Sequence, residues 1–314
     1  MLASMSDRAD RLGVRWGYAG GTTLASVDEV AEAARFAVEA GFDSLWISHA
    51  KAVDPIVALA ATATHTEGLS EVGTSVVPLY GRHPIGLAQL AMTAQSALGG
   101  RFTLGIGAAS RRPVEDDLGL NWDHPYTFTR DFIDGLQPLL AGEQADVDGA
   151  QVTTHAQLQI TAPDTPILLA ALGPRMLGLA GRRVAGTSVG QCGPRTITNY
   201  VAPAINAAAG AAGRPNPRIM ALVRICVTDD HAGAYALATE IAAFYEAVPS
   251  YAAVLAKEGL RAAAELHLIG SWEQILDGLA AYATAGTTDL RVQIAAHTPK
   301  AWADSQQALA DHLG

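Results

Sequence analysis

Cysteine is almost missing from this chain: Cys192 and Cys226 are the only two in 314 residues. Two thiols cannot build the disulfide framework of a small secreted scaffold, and they fit a reducing compartment such as the cytoplasm. Lysine is nearly as scarce, with 3 among the 21 basic residues. No basic run exceeds the pairs Arg111-Arg112 and Arg182-Arg183, and the net charge is −10. A nucleic-acid surface needs a basic stripe, so nucleic acid is not an expected partner. No apolar run reaches the ~18 residues that span a bilayer, so no membrane is expected either. The opening "MLASMSDRADRLG" has charges where a leader peptide needs an apolar centre, which again points to the cytoplasm. Neither GxxxxGK[ST] nor GxGxxG occurs. Histidines 49, 65, 83, 124, 155, 231, 267, 297 and 312 are dispersed, and "RWGYAG" near the start holds no H-x-H pair. A metal hydrolase is therefore not expected, and no metal site is assigned.

What is present is a rhythm. Strand patterns at 14–20, 43–48, 71–78 and 101–108 alternate with helix patterns at 26–41, 54–66 and 83–99. Ser26 with Glu29 three residues on, and Pro55 in a first turn, mark helix starts. The middle departs from this: a polar loop 110–126, a helix 127–140, and a hairpin 145–160 turning at Asp148-Gly149. Strands then follow at 166–171, 186–191, 218–228 and 289–296, with helices at 174–183, 194–213, 231–248, 271–286 and 299–313. Eight strands, each followed by a helix, predict an α/β fold: a parallel (β/α)8 TIM barrel with an inserted loop, helix and hairpin after the fourth strand. No linker or composition shift interrupts the chain, so residues 1–314 read as a single domain. Chemistry in such a barrel sits at the C-terminal strand ends. In "GTSVVPLYGRHP" (73–84), residues 73–77 would then line the barrel and 78–83 form its mouth.

Three stretches carry a resemblance: "GFDSLWIS", "GTSVVPLYGRHPIGLAQLAMTAQSALGGRFTLGIG" and "PILLAALGPRMLGLAGRRVAGT". The chain resembles the luciferase-like flavin and deazaflavin oxidoreductases, and in "LGPRM" and "GPRT" it is most similar to the branch that uses coenzyme F420. The resemblance implies an F420-dependent oxidoreductase that passes a hydride between the deazaflavin and a small organic substrate at the barrel mouth. It further implies a non-prolyl cis peptide at Ser75–Val76 behind the ring. In the family an acid and a histidine follow Trp-x-Ser; here Ser48 is followed by His49 and Ala50, so the pair is incomplete. His49 is the expected catalytic residue, contacting the deazaflavin or relaying a proton, since an imidazole pKa of about 6.5 suits both.

The remaining expected cofactor contacts are Tyr18, Ser48, Ser75, Val76, Gly107, Ala108, Gly173, Pro174, Arg175, Met176 and Gly190. Gly105 and Gly107 either let a ligand approach the backbone or serve tight strand packing. Gly-Pro-Arg occurs twice between a strand and a helix, at 173–175 and 193–195. Free amides at a helix start bind anions, so the first copy is the expected phosphate contact. Arg82-His83-Pro84 reads as positioning the third helix, with Arg82 pairing a carboxylate across the rim. Tyr18, Tyr80 and Trp122 either wall the substrate space or pack under loops. Two rival readings remain: an FMN-dependent monooxygenase of the same family, and a non-catalytic flavin-binding barrel. The Ala-rich helices 54–66 and 83–98, with relatives dimerising through this region, imply a homodimer.

Overall fold

The computed structural model describes residues 11–314. The leader-peptide reading of the N-terminus falls mainly on residues 1–10, outside the described residues.

Among the described residues twelve strands occur in chain order: β1 (Arg15–Ala19), β2 (Ser44–Ile47), β3 (Glu71–Thr74), β4 (Val77–Pro78), β5 (Phe102–Gly107), β6 (Ala145–Asp148), β7 (Thr153–Ala156), β8 (Ile167–Ala170), β9 (Gly186–Val189), β10 (Arg218–Val227), β11 (Leu268–Gly270) and β12 (Asp289–Ile294). The order β10-β12-β1-β2-β3-β5-β8-β9 closes because β10 also pairs with β9. All of these pairs are parallel, so the expected (β/α)8 TIM barrel is what forms. β6 and β7 make the antiparallel hairpin expected on the rim.

Local sequence explains most helix starts. Ser26 accepts the amide of Glu29 at 3.2 Å and opens helix Val27–Glu39. Asp54 accepts the amides of Ile56 and Val57 and opens helix Pro55–Ala61. Helix Pro174–Arg183 has the expected bounds, and Pro125 starts the inserted helix two residues earlier than its apolar pattern indicated.

The third strand is interrupted where the resemblance implied: β3 ends at Thr74, the Ser75–Val76 peptide is cis, and β4 resumes against β5. Gly105 on β5 permits this, because a Cβ there would lie 1.9 Å from the Thr74 carbonyl oxygen. The helix read at 194–213 runs as Pro194–Thr196, a π-turn Ile197–Val201 and Ala202–Ala211. Pro203 has no N–H to return to the turn before it, so the ladder shifts register there. Residues 249–270, to which no element was assigned, hold helix Pro249–Glu258, a 3₁₀ turn Ala263–Leu266 and β11. The signal was present: Pro249 in the first turn and Gly259 in the left-handed region at φ +83° after the last. Its Ala-rich pattern hid it.

The lumen is layered. At its N-terminal end Arg218 forks onto Glu71 at 2.8 and 2.9 Å and reaches Asp289 at 2.6 Å. Arg15 also pairs with Glu71. Burial opposes both charges, yet the mutual ion pairs hold Glu71 below and Arg218 above their ordinary pKa ranges. Above them Trp46, Leu168 and Met220 form an apolar plug, with the Trp46 indole N–H donating to Ser44 at 2.9 Å. That plug is the floor of the mouth. The interruption between β3 and β4 decides which part of 73–77 faces it: Ser75 points into the lumen, while Val77, which regular alternation would place on the same side, packs in the main core.

Candidate functional site

The densest polar cluster above the floor surrounds the carbonyl of Ser75. That oxygen accepts from the Ser48 hydroxyl at 2.8 Å and from the Arg291 guanidinium at 2.7 Å. The Ser75 hydroxyl pairs with that of Ser188 at 2.9 Å, and the Val76 carbonyl accepts the His49 amide at 3.4 Å. Four strands, β2, β3, β9 and β12, thus converge on one peptide unit. Arg291 is 5% exposed, and burial, then the nearby charge of Arg224, push its pKa down to about 10. It still carries its charge at neutral pH.

His49 sits half-buried at the end of β2. Burial, then Arg82, lower its pKa, and Asp54 acts the other way. Arg82 does pair across the rim, donating to Asp54 at 2.7 Å. His83 and Pro84 start the third helix, with the His83 ring accepting the Ile85 amide at 3.3 Å. At the end of β5, Gly107 leaves room for Val76, since a Cβ there would lie 3.0 Å from Val76 Cγ2. The Trp122 indole donates to the Ala108 carbonyl at 3.1 Å, so the inserted loop folds back onto the mouth.

The two Gly-Pro-Arg copies are not equivalent. At the second, Glu258 already fills the helix start, accepting from the amides of Arg195 and Thr196 at 3.0 and 2.7 Å. At the first, no side chain caps helix Pro174–Arg183. A Cβ on Gly173 or Gly190 would meet nothing within 4 Å. Pro174 and Arg175 are exposed, Met176 is half-buried, and the Arg175 guanidinium lies 4.0 Å over the Tyr126 ring. Only the first copy has free amides for an anion.

Ser48, His49, Ser75, Val76, Gly107, Ala108, Gly173, Pro174, Arg175, Met176 and Gly190 all lie at or just after C-terminal strand ends. Tyr18 does not belong with them. Its ring packs edge-on to Phe36 at 4.9 Å and beside Phe42 at 5.5 Å, between β1 and the helix outside it. Alternation along β1 turns it away from the lumen, which corrects its assignment as a contact. Tyr80 is 5% exposed and stacked on Phe128 at 4.1 Å, so it packs under the inserted helix rather than walling an open space. Sequence reasoning missed Ser188, Arg224 and Arg291. Their signal was polar residues at alternate positions of otherwise apolar strands, "GTSV", "RIMALVRICV" and "DLRVQI". In a barrel those positions face the lumen.

Comparison with known proteins agrees with this architecture. The sequence pattern of the family described as luciferase-like monooxygenase matches residues 12–289. A 5,10-methylenetetrahydromethanopterin reductase of Methanolobus tindarius is 30% identical over 246 residues, covering 77% of this chain and 74% of the relative. A putative coenzyme F420-dependent oxidoreductase of Mycobacterium tuberculosis is 29% identical over 244 residues, covering 72% and 69%. Among solved structures, the coenzyme F420-dependent tetrahydromethanopterin reductase of Methanopyrus kandleri superposes with a TM-score of 0.77 at 21% identity, covering 95% of this chain and 96% of that one. With its barrel, its broken third strand and a family match over most of its length, this chain belongs to the luciferase-like monooxygenase family.

Proposed function

We propose that the chain is a single-domain, coenzyme F420-dependent oxidoreductase. It moves a hydride between the deazaflavin and a small organic substrate at the C-terminal mouth of the barrel. The observation that carries this reading is the uncapped start of helix Pro174–Arg183 beside the open space over Gly173 and Gly190, in a chain whose relatives bear F420-dependent names. These residues fit a ligand with an anionic tail: free amides and a nearby arginine face a region no Cβ fills. When bound, the deazaflavin would supply hydride chemistry, since carbon replaces the N5 nitrogen of a flavin and carries the transferred hydride.

The chain's own residues then divide the work. Gly173, Pro174, Arg175, Met176 and Gly190 hold the phosphate side. Ser48, Ser75, Val76, Gly107 and Ala108 hold the ring side. His49, kept neutral by burial and by Arg82, holds or passes a proton at a ring nitrogen. The apolar plug of Trp46, Leu168 and Met220 keeps water from entering from below. Helices Pro55–Ala61 and Pro84–Ala97 expose Val57 and Leu90, at 54% and 37%, as the face of a homodimer. Unpaired Cys192 and Cys226, and the absence among the described residues of a helix long and apolar enough to cross a membrane, support a cytoplasmic enzyme.

The test is a titration of the purified protein with F420 and FMN in parallel, followed by change in cofactor fluorescence. Tight saturable binding of F420 and weak binding of FMN are expected. Preference for FMN would replace this reading with a flavin monooxygenase, and binding of neither would end it.

A further inference from the structure

Arg224 and Arg291 lie inside the upper barrel at 7% and 5% exposure. Every hydrogen-bond partner they have among the described residues is neutral. Arg224 donates to the Gln293 side-chain oxygen and the Tyr245 hydroxyl, both at 3.0 Å, and Arg291 donates to the Ser75 carbonyl. Arg218, lower in the same lumen, is by contrast paired with Glu71 and Asp289. Two like charges are therefore held out of water without a counter-ion, an arrangement that costs free energy unless something anionic completes it.

The donors left over agree. The Nε of Arg291 and the Nε2 of Gln191 are buried and meet no hydrogen-bond partner. Gln191 is 4% exposed and sits at φ +56°, in the left-handed region that β-strand ends seldom use. Gln191, Arg224 and His267 line one small pocket with Cys192, Leu222 and Tyr282. Its free interior is about 10 Å³, the space of roughly one oxygen atom. No acid lines it, and Glu258, whose charge reaches Cys192 and Tyr282, lies outside the lining. His267 is pushed down to about 4 by burial and Arg224, and the Cys192 thiol is pushed up to about 12 by burial. The Tyr251 hydroxyl, facing Arg291 from helix Pro249–Glu258, is likewise raised to about 12 by burial. The nearest acid on that helix, Glu258, is engaged with the amides at Arg195 and Thr196.

We propose that Arg224, Arg291 and Gln191 form a subsite for an anionic oxygen group, a carboxylate or phosphate, carried by the substrate of the oxidoreductase proposed above. The substrate assignment rests on that reading. One oxygen of the anion enters the small pocket against Arg224 and Gln191. The second lies toward the free Nε of Arg291. A guanidinium fork suits this, because two parallel N–H donors match the two oxygens of one anion. The subsite is separate from the helix start at Gly173, which lies after β8 and serves the cofactor side.

Inorganic phosphate is the probe, titrated at constant ionic strength into the full-length protein and read by the thermal upshift of unfolding. Four proteins are compared: wild type, Arg224→Gln, Gln191→Leu and Arg175→Gln, with F420 affinity measured on each. Arg291 is left intact because it also supports the Ser75 carbonyl. With F420 present at saturation to fill the helix start at Gly173, phosphate affinity is expected to fall at least about tenfold in Arg224→Gln, to fall in Gln191→Leu, and to hold in Arg175→Gln. F420 affinity should stay unchanged in Arg224→Gln. Equal phosphate affinity in wild type and Arg224→Gln, or none in wild type, overturns the proposal and leaves the pocket to a bound water. A parallel loss of F420 affinity in Arg224→Gln overturns the substrate assignment, since the anion would then be the cofactor's. Failure of the wild type to bind F420, with the phosphate pattern intact, would sink the proposed function and leave the anion subsite standing.

Discussion

Glu258 and Thr196 are joined by a 2.7 Å hydrogen bond from the Thr196 amide to the carboxylate, 62 residues apart in sequence. The contact converts a helix start that would bind an anion into one the protein itself has closed. A Cβ on Gly193 would lie 2.3 Å from the Glu258 carboxyl carbon, whereas one on Gly173 meets nothing. Glu258→Ala should therefore cost about 1–2 kcal/mol, the usual worth of a lost helix cap. Gly193→Ala should destabilise as well, and Gly173→Ala should not. Urea denaturation of the three variants checks this; equal midpoints for Gly193→Ala and Gly173→Ala would contradict it.

Gly190 and Gly173 face open space. Gly190→Val should leave the unfolding midpoint close to wild type yet weaken F420 binding at least about tenfold, because the added side chain takes volume meant for ligand. Fluorescence titration beside a melting curve reads both. Unchanged affinity would remove Gly190 from the cofactor side.

His49 should titrate below the ordinary histidine value, first because it is half-buried and then because of Arg82. Arg82→Gln should raise its midpoint toward 6.5, and Asp54→Asn should lower it further, since Asp54 stabilises the imidazolium. Proton NMR of the ring across pH 4 to 8 gives the midpoints. If Arg82→Gln leaves the midpoint in place, burial alone sets it.

The folded pKa of His267 lies at about 4, below its unfolded value of 6.5. Between these values the unfolded chain binds the extra proton, so stability is full above pH 6.5 and declines as the pH falls toward 4. The loss attributable to this one group is at most about 3 kcal/mol. His267→Gln should flatten the pH dependence of unfolding in this window relative to wild type. Parallel curves for the two proteins would rule the group out.

At the other end of the lumen, Glu71→Ala leaves Arg218 with only Asp289 and deprives Arg15 of its main partner. A loss of about 3–5 kcal/mol is expected, the cost of uncovering a buried charge. Cofactor affinity of the fraction that remains folded should not change, because the Trp46 plug separates this network from the mouth.

The rhythm of strands and helices was legible in the sequence because periodicity and helix starts are local. Ser26, Asp54 and Pro174 act within a few residues of themselves, and the eight barrel strands fell where the alternation put them. Ser75–Val76 was reached only through a family resemblance, since nothing in "GTSVV" by itself distinguishes a cis bond from an extended strand. Tyr18 was misplaced because a strand's composition does not say which of its faces is inside. What tertiary structure alone decided is the set of contacts across the lumen. Arg291 meets the Ser75 carbonyl across 216 residues of chain, and Ser75 meets Ser188 across 113. Only the closure of the barrel brings such positions to hydrogen-bond distance, and closure depends on every strand at once.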